Sequence, residues 1–139
     1  MLSPNVKLSM EVLVKTAYQE TVFEVDGHLP ACFAIITAYN PLGRSAPSSR
    51  NQHQDLTLRA VLEGRGCTPI RVTGRDRGDA HREPGWAAEL SLKDALEIGN
   101  IFKQEAIYYV SDGKLSLHRC DGRESIDLGD WASRVQSEE

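Results

Sequence analysis

The sequence has few cysteines, few aromatic residues and no long apolar run. Its 139 residues include three cysteines, at positions 32, 67 and 120, and 6% aromatic residues. An odd number of cysteines with no C-x-x-C spacing argues against a disulfide framework, a structural zinc site and a thioredoxin-like redox site. We therefore predict reduced thiols that pack as small apolar side chains. The longest apolar run, residues 31–38, is too short to cross a bilayer.

The sequence also has no excess of positive charge. The net charge is −4 and the isoelectric point is about 5.6. Proteins that bind duplex nucleic acid normally present a basic face to the phosphates, so we expect no duplex partner. The N-terminal residues contain neither a basic segment nor an apolar one of the kind found in signal peptides. We expect no membrane association and a cytoplasmic location.

What is present is the composition of an ordinary globular protein. Hydrophobic residues make up 40% of the chain and charged residues 26%. A chain of this length buries enough surface to fold without a metal or a disulfide. We predict a single domain over residues 1–139, with a short polar C-terminal tail from about residue 121. The apolar residues at 126, 128 and 131 would attach this tail to the rest of the domain.

The hydrophobic pattern predicts an α+β fold. We expect a mainly antiparallel sheet of about six strands with two or three packed helices, arranged as a two-layer sandwich. The strand over residues 31–38 is apolar on both faces, as a central strand would be, and is expected to pair with the strand over 21–25 as a hairpin. The predicted helices cover 7–17, a segment starting near 49 and a segment starting near 91. The other predicted strands cover 69–73, 85–90, 106–110 and 115–118, and residues 74–84 are expected to form a solvated loop.

Four local signals make this prediction more specific. The pair Asp112–Gly113 between two strand patterns is typical of a type I′ hairpin turn. Ser49 with Gln52, and Ser91 with Asp94, have the spacing of helix caps. Gly99, on the inner face of the last helix, indicates a close approach to the sheet.

Several segments together resemble a known family of bacterial proteins. They are residues 33–43, Phe-Ala-Ile-Ile-Thr-Ala-Tyr-Asn-Pro-Leu-Gly, then Asn51, then residues 83–86, Glu-Pro-Gly-Trp, and then residues 102–107 before a hairpin. They are similar to domain-of-unknown-function family 3293. The resemblance extends roughly over residues 18–117. It implies a compact bacterial domain and supplies no activity, cofactor or partner.

The residues that could carry chemistry form no specific catalytic motif. No Gly-x-Ser-x-Gly elbow and no phosphate-binding glycine loop occurs. His81 and Glu83 are spaced as metal ligands on an extended segment, but three nearby arginines oppose a cation, and we expect no metal and no cofactor. The start of the helix near residue 49, flanked by Arg44 and Arg50, could hold an anion, although a water-exposed helix end explains it equally well.

A candidate binding site is predicted where polar side chains come at the ends of secondary-structure elements. Ligand sites are usually assembled from such positions. The residues are Asn40, Gly43, Asn51, Glu83, Trp86 and Gln104. We expect the side chains of Asn40, Asn51, Glu83 and Gln104 to converge beside the Asn40–Pro41 turn, either as a ligand site or as a structural clamp on the loops.

Three functions fit these observations. The first is a binding domain that recognises a small polar molecule or a partner protein in a regulatory role. The second is an enzyme that acts without a metal on a small polar or phosphorylated compound, with Glu83 as its acid–base group. The third is a module that binds only proteins. A raised Glu83 pKa would favour the enzyme over the binding domain.

Overall fold

A computed structural model describes residues 21–75 and 82–136 of the chain. Its eight strands form one sheet in the order β7-β6-β5-β2-β4-β3-β1-β8. The strands are β1 (Val22–Val25), β2 (Phe33–Ile36), β3 (Ile70–Arg75), β4 (Arg82–Ala88), β5 (Ala106–Ser111), β6 (Lys114–Arg119), β7 (Ser125–Asp130) and β8 (Val135–Gln136). The described helices are α1 (Ser48–Gly64) and α2 (Leu92–Ile101), with short 3₁₀ turns at Pro41–Gly43 and Ala132–Arg134.

Strand β2 is the buried centre of this sheet. All four of its residues are buried, and it pairs antiparallel with β4 on one side and β5 on the other. Its side chains alternate between two hydrophobic cores, because successive residues of a strand point to opposite faces. Ala34 and Ile36 belong to the core beneath the helices, whereas Phe33 and Ile35 belong to the core on the other face.

The two helices cover one face, which we call the outer face. The buried positions of α2 are Ala95, Ile98 and Gly99, and its N-cap Ser91 accepts a hydrogen bond from the Asp94 amide at 3.1 Å. Helix α1 buries Leu58 and Leu62 in the same core. Burial of these apolar side chains attaches both helices to the sheet.

The other face, which we call the inner face, is buried because the sheet curls. The rings of Phe23 on β1 and Tyr108 on β5 have centroids 5.0 Å apart. Three strands separate β1 from β5, so in a flat sheet the two strands would lie about 19 Å apart. Trp131 fills the space between them, with ring centroids 5.0 Å from Phe23 and 5.3 Å from Phe33.

A short connection brings the two edges of the sheet towards each other. β7 is one edge and β8 the other, and only residues 131–134 join them. β8 pairs with β1 in parallel. The Arg134 guanidinium donates hydrogen bonds to the carbonyl oxygens of Thr21, at 3.2 Å, and Leu128, at 3.4 Å. The sheet is therefore a mixed, curled half-barrel.

The predicted two-layer sandwich of about six mainly antiparallel strands is therefore wrong. The sheet has eight strands and one parallel pair, and it curls over its own inner core. β1 does not form a hairpin with β2 but pairs with β3 and β8. Residues after 121 provide two strands and the Trp131 side chain. The helix predicted at 7–17 lies outside the described residues.

The local predictions had mixed outcomes. Asp112 and Gly113 have φ of 52° and 73°, which agrees with the type I′ turn, and the Ser91 cap is present. The capping box at Ser49 is wrong, because α1 starts at Ser48 with Pro47 as its N-cap. The loop predicted over 74–84 is partly wrong, since β3 reaches Arg75 and β4 starts at Arg82.

Neither α1 nor α2 has the length and apolar composition that crossing a bilayer requires. This finding concerns the described residues only.

Replacing Gly99 by Ala should destabilise the fold by about 1–3 kcal/mol through overpacking. A Cβ at this position would lie 2.6 Å from Cys120 Sγ and 3.0 Å from Ile107 Cγ2. Cys120→Ala should recover part of the loss, so that the two changes are non-additive in urea unfolding. Gly64→Ala is the matched control, because a Cβ there meets nothing within 4 Å. Equal effects at positions 64 and 99 would contradict this packing.

Candidate functional site

The chain leaves β2 through two asparagines that hydrogen-bond to each other. The Asn40 amide N–H donates to Asn51 Oδ1 at 2.9 Å, and Asn51 Nδ2 donates to Asn40 Oδ1 at 3.0 Å. Asn40 Oδ1 also accepts from the Ala46 amide, and Asn51 Nδ2 donates to the Ala46 carbonyl. Asn51 is only 6% exposed. The pair connects the end of the central strand to the first turns of α1.

The turn between these asparagines has an unusual backbone. Asn40, Leu42 and Gly43 have φ of 49°, 59° and 71°. Positive φ is easy for Gly and tolerated by Asn, but for leucine it is a rare, strained conformation. The Leu42 amide donates to the carbonyl of Lys103 at 2.7 Å, and Lys103 itself has φ of 57°. The segment that follows α2 therefore holds the strained turn in place.

Gln104 and Gly43 belong to the same region. Gln104 Nε2 donates to the carbonyl oxygens of Tyr39, at 3.2 Å, and Phe102, at 3.3 Å. A Cβ on Gly43 would lie 3.3 Å from a carboxylate oxygen of Glu105. Four of the six predicted site residues thus come together beside the Asn40–Pro41 turn. Their amide groups mainly hold loops and helix ends together.

Trp86 lies on the outer face and is covered by arginine. The Arg71 guanidinium carbon is 3.7 Å from the ring centroid, and that of Arg59 is 5.5 Å away. The indole N–H donates to the Asp55 carbonyl at 3.1 Å. Arg71 also donates to both carboxylate oxygens of Asp55, at 2.7 and 2.6 Å. Trp86 is 7% exposed and belongs to the outer core, so a ligand could stack on it only by displacing Arg71.

Glu83 faces away from this group. It is three residues from Trp86 on a regular strand, so its side chain lies on the inner face. Thr37 connects the two regions: its hydroxyl donates to the Pro84 carbonyl at 2.9 Å and accepts from the Tyr39 amide at 3.1 Å. The structure thus brings Asn40, Gly43, Asn51 and Gln104 together, whereas strand alternation turns the Glu83 side chain to the inner face and Trp86 packs in the outer core.

The Glu83 carboxyl group has a perturbed acidity although the residue is exposed. Desolvation by the surrounding protein raises the pKa of Glu83, and the neighbouring Thr37 hydroxyl offsets part of this effect. Glu24 shows the contrast: hydrogen bonds from Arg82 and Arg75 lower its pKa. Within residues 21–75 and 82–136, no arginine or lysine forms an ion pair with Glu83.

Sequence reasoning missed three residues that define this end of the molecule: Thr37, Asp55 and Arg71. One signal could have found Asp55, because it lies four residues after Asn51 and three before Leu58 on one helix face. The pairing of Asp55 with Arg71 depends on how α1 packs on β3, which no local pattern specifies.

The alternative metal and anion sites gain no support from the geometry. His81 lies outside the described residues, and those described contain no group of three His, Cys, Asp or Glu side chains that could hold a metal. Arg44 and Arg50 are exposed. The three cysteines are free, and burial raises the pKa of the Cys120 thiol to about 12, which keeps it unreactive.

Comparison with known proteins gives one match. A family model described as protein of unknown function (DUF3293) matches residues 36–107, just over half of the chain. This confirms the resemblance found in the sequence. The matched segment runs from the end of β2 to the start of β5 and contains all six predicted site residues. No curated protein and no solved structure matches the chain.

Asn51→Ala should lower the free energy of unfolding by about 1–3 kcal/mol, because it removes the acceptor of the Asn40 amide and one of the two donors to Asn40 Oδ1 at a partly buried position. Gln52→Ala is the matched control: Gln52 is exposed and makes one long bond, 3.4 Å, to Ser48 Oγ. Urea unfolding of both variants tests this. An Asn51 variant as stable as the Gln52 variant would show that the asparagine pair is not a clamp.

The carboxyl group of Glu83 should titrate above 4.5, the ordinary value for Glu. The protonated form is favoured in the folded state, so this contribution to stability is complete below pH 4.5 and is lost as the pH rises through the folded pKa. The difference in unfolding free energy between Glu83→Gln and the wild type should therefore rise in favour of the variant from pH 4.5 to the folded pKa. Above the folded pKa the difference should stay constant. Thr37→Val should raise the Glu83 pKa further. NMR titration of the carboxyl carbon measures both, and a wild-type value at or below 4.5 would contradict the desolvation.

Proposed function

The chain belongs to the DUF3293 family, described as protein of unknown function, and we propose from its own residues that it is a regulatory module that binds a partner protein. The binding surface is the 40–43 turn together with the adjoining end of α2. The observation that carries the proposal is Leu42, an exposed leucine held in the left-handed backbone region.

Exposed apolar side chains flank this turn. Three large hydrophobic residues are prominently exposed in the described parts of the chain: Leu42 at 53%, Leu56 at 60% and Ile101 at 60%. The Leu42 amide bonds the Lys103 carbonyl, and Ile101 lies two residues before Lys103. Ile101 is thus two residues along the chain from the backbone group that holds Leu42. Such side chains bury readily in a partner's surface.

The turn carries backbone strain at Leu42, whose φ is 59°. A left-handed conformation costs a residue with a side chain about 1–2 kcal/mol. Strain of this kind collects at binding sites, where the surrounding structure over-determines the backbone. Here the asparagine pair and the Lys103 carbonyl fix the turn. A leucine presented on a rigid turn loses little entropy when it binds.

Charge around the turn indicates the chemistry of the partner. Arg44 and Lys103 flank Leu42, Arg50 follows in the first turn of α1, and Glu105 lies over Gly43. Three of these four side chains are cationic. The complement is a protein surface with an apolar centre and an acidic rim.

A cytoplasmic bacterial setting without a duplex nucleic-acid partner fits this proposal. It rests on the resemblance, on the net charge of −4 and on the lack of a basic face in the sequence. The same turn could instead bind a small polar ligand. The side-chain amides of Asn40 and Gln104 would then be its contacts.

A second candidate function is a metal-independent enzyme, favoured by the raised Glu83 pKa. A protonated carboxyl beside the Thr37 hydroxyl could act as a general acid on a small polar compound. Loss of turnover in Glu83→Gln, with folding retained, would support this candidate over the binding module.

The partner can be captured with a photo-crosslinking amino acid at position 42 in a bacterial host that produces the protein, and its affinity then measured with purified components. Leu42→Asp should weaken binding at least tenfold, because it places a charge in the apolar contact. Leu56→Asp, on the exposed side of α1, is the matched control and should bind as the wild type does. Equal affinities for the two variants would reject the surface.

Leu42→Gly separates binding from folding. Glycine relieves the left-handed strain, so the variant should be more stable than the wild type by up to about 1 kcal/mol while binding the partner more weakly. Thermal unfolding and calorimetric titration measure the two effects. A variant that loses stability would show that Leu42 packs within the fold instead of serving a partner.

A further inference from the structure

A serine and a histidine form a hydrogen-bonded pair on strand β6. Ser116 Oγ lies 2.8 Å from His118 Nε2. The two residues are two positions apart on a strand, so their side chains lie on one face of the sheet. Leu115 and Leu117 alternate with them and are buried, and Leu115 belongs to the inner core, which places the pair on the outer face. Ser116 and His118 are each half-buried, so a small molecule can reach them.

The neighbouring strand β5 holds this pair in position. Tyr109 is the register partner of Ser116, and its carbonyl oxygen lies 3.3 Å from Ser116 Oγ. The Tyr109 ring meets the His118 ring edge to face, with centroids 6.3 Å apart. The Tyr109 hydroxyl donates to the Leu90 carbonyl at 2.7 Å, which fixes the ring against which the imidazole packs. The imidazole is thereby kept beside the serine hydroxyl.

The pair has the chemistry of a nucleophile and its base. A serine hydroxyl is a weak nucleophile until a base within hydrogen-bond reach takes its proton. Burial lowers the pKa of His118, so the imidazole is uncharged at neutral pH and can accept a proton. In this role Nε2 is unprotonated and Nδ1 carries the ring proton. The Tyr109 carbonyl can share the hydroxyl hydrogen of Ser116, but only the imidazole is basic enough to remove it.

We propose that Ser116 is a nucleophile that small activated acyl compounds acylate, with His118 as its general base. Ser116 Oγ attacks the acyl carbon while its proton passes to His118 Nε2. The bond from the acyl carbon to the leaving group then breaks, and the leaving group takes the proton from His118. The product is an ester on Ser116. Thioesters and acyl phosphates belong to this class, because each carries a good leaving group. The proposal does not depend on the partner surface at Leu42.

The first test is mass spectrometry of the full chain after treatment with p-nitrophenyl acetate, with mapping of the acetylated residue. The wild type should be acetylated on Ser116, and Ser116→Ala should lose this adduct. His118→Gln should form it about a hundredfold more slowly, because the base is absent. Ser125→Ala is the matched control and should react as the wild type does, since Ser125 is an exposed serine opposite His118 on β7.

A second experiment separates base catalysis from a structural role of His118. Diisopropyl fluorophosphate, which loses fluoride to a nucleophilic serine, should modify Ser116 slowly in His118→Ala. Added imidazole should restore the rate at least tenfold, because it can enter the space that the side chain leaves.

Thermal unfolding shows whether each variant is folded. If His118→Ala does not fold, the rates of the wild type and His118→Gln decide. The proposal is overturned if neither reagent modifies Ser116 in the wild type, or if His118→Gln reacts as fast as the wild type. An unchanged rate on adding imidazole to folded His118→Ala would overturn it as well.

Discussion

The structure depends on burying the face of the sheet that neither α1 nor α2 covers. Phe23, Phe33 and Val72 lie on that face and are almost fully buried. Neither described helix lies above them, and the curl of the sheet brings its own strands together around these side chains. Trp131 makes this possible, because its ring spans the gap between Phe23 and Phe33. The last strands are thus part of the fold, although their sequence is polar enough to resemble a tail.

Features specified within a few residues could be predicted from the sequence. The Asp112–Gly113 turn needs two residues that accept positive φ, and the Ser91 cap needs a hydroxyl three residues before an amide. The burial of β2 follows from its unbroken apolar run. Gly99 was identified because a small residue in an apolar helix row indicates close packing. In the turn and the cap, the interacting groups are close together in the sequence. For β2 and Gly99, the sequence predicts only that the residues are buried or closely packed.

Features that depend on distant partners could not be predicted in this way. β1 pairs with β3, about 50 residues further along the chain, and nothing in the residues 22–25 favours that strand over the adjacent β2. The predicted cap at Ser49 failed because the phase of α1 is set by contacts of Asn51 and Asp55 with the sheet end, not by its first turn. The candidate site could be predicted only in part. A common end of the sheet brings Asn40, Asn51 and Gln104 together, but strand alternation turns Glu83 to the inner face.

Helix α1 explains how a strained turn can persist at this end. Its C-terminal half buries Leu58 and Leu62. These apolar contacts stabilise the helix on the sheet but do little to fix its exact position. Its N-terminal half buries Asn51 and Asp55, whose hydrogen bonds to Asn40 and Arg71 are satisfied in one geometry only. A shift of the helix would leave these buried polar groups unpaired, at about 1–3 kcal/mol each. That penalty exceeds or equals the strain in the turn, so the turn cannot relax by moving the helix. The buried polar residues of α1 thereby keep the backbone at Leu42 rigid. A rigid backbone is the property that a binding surface requires.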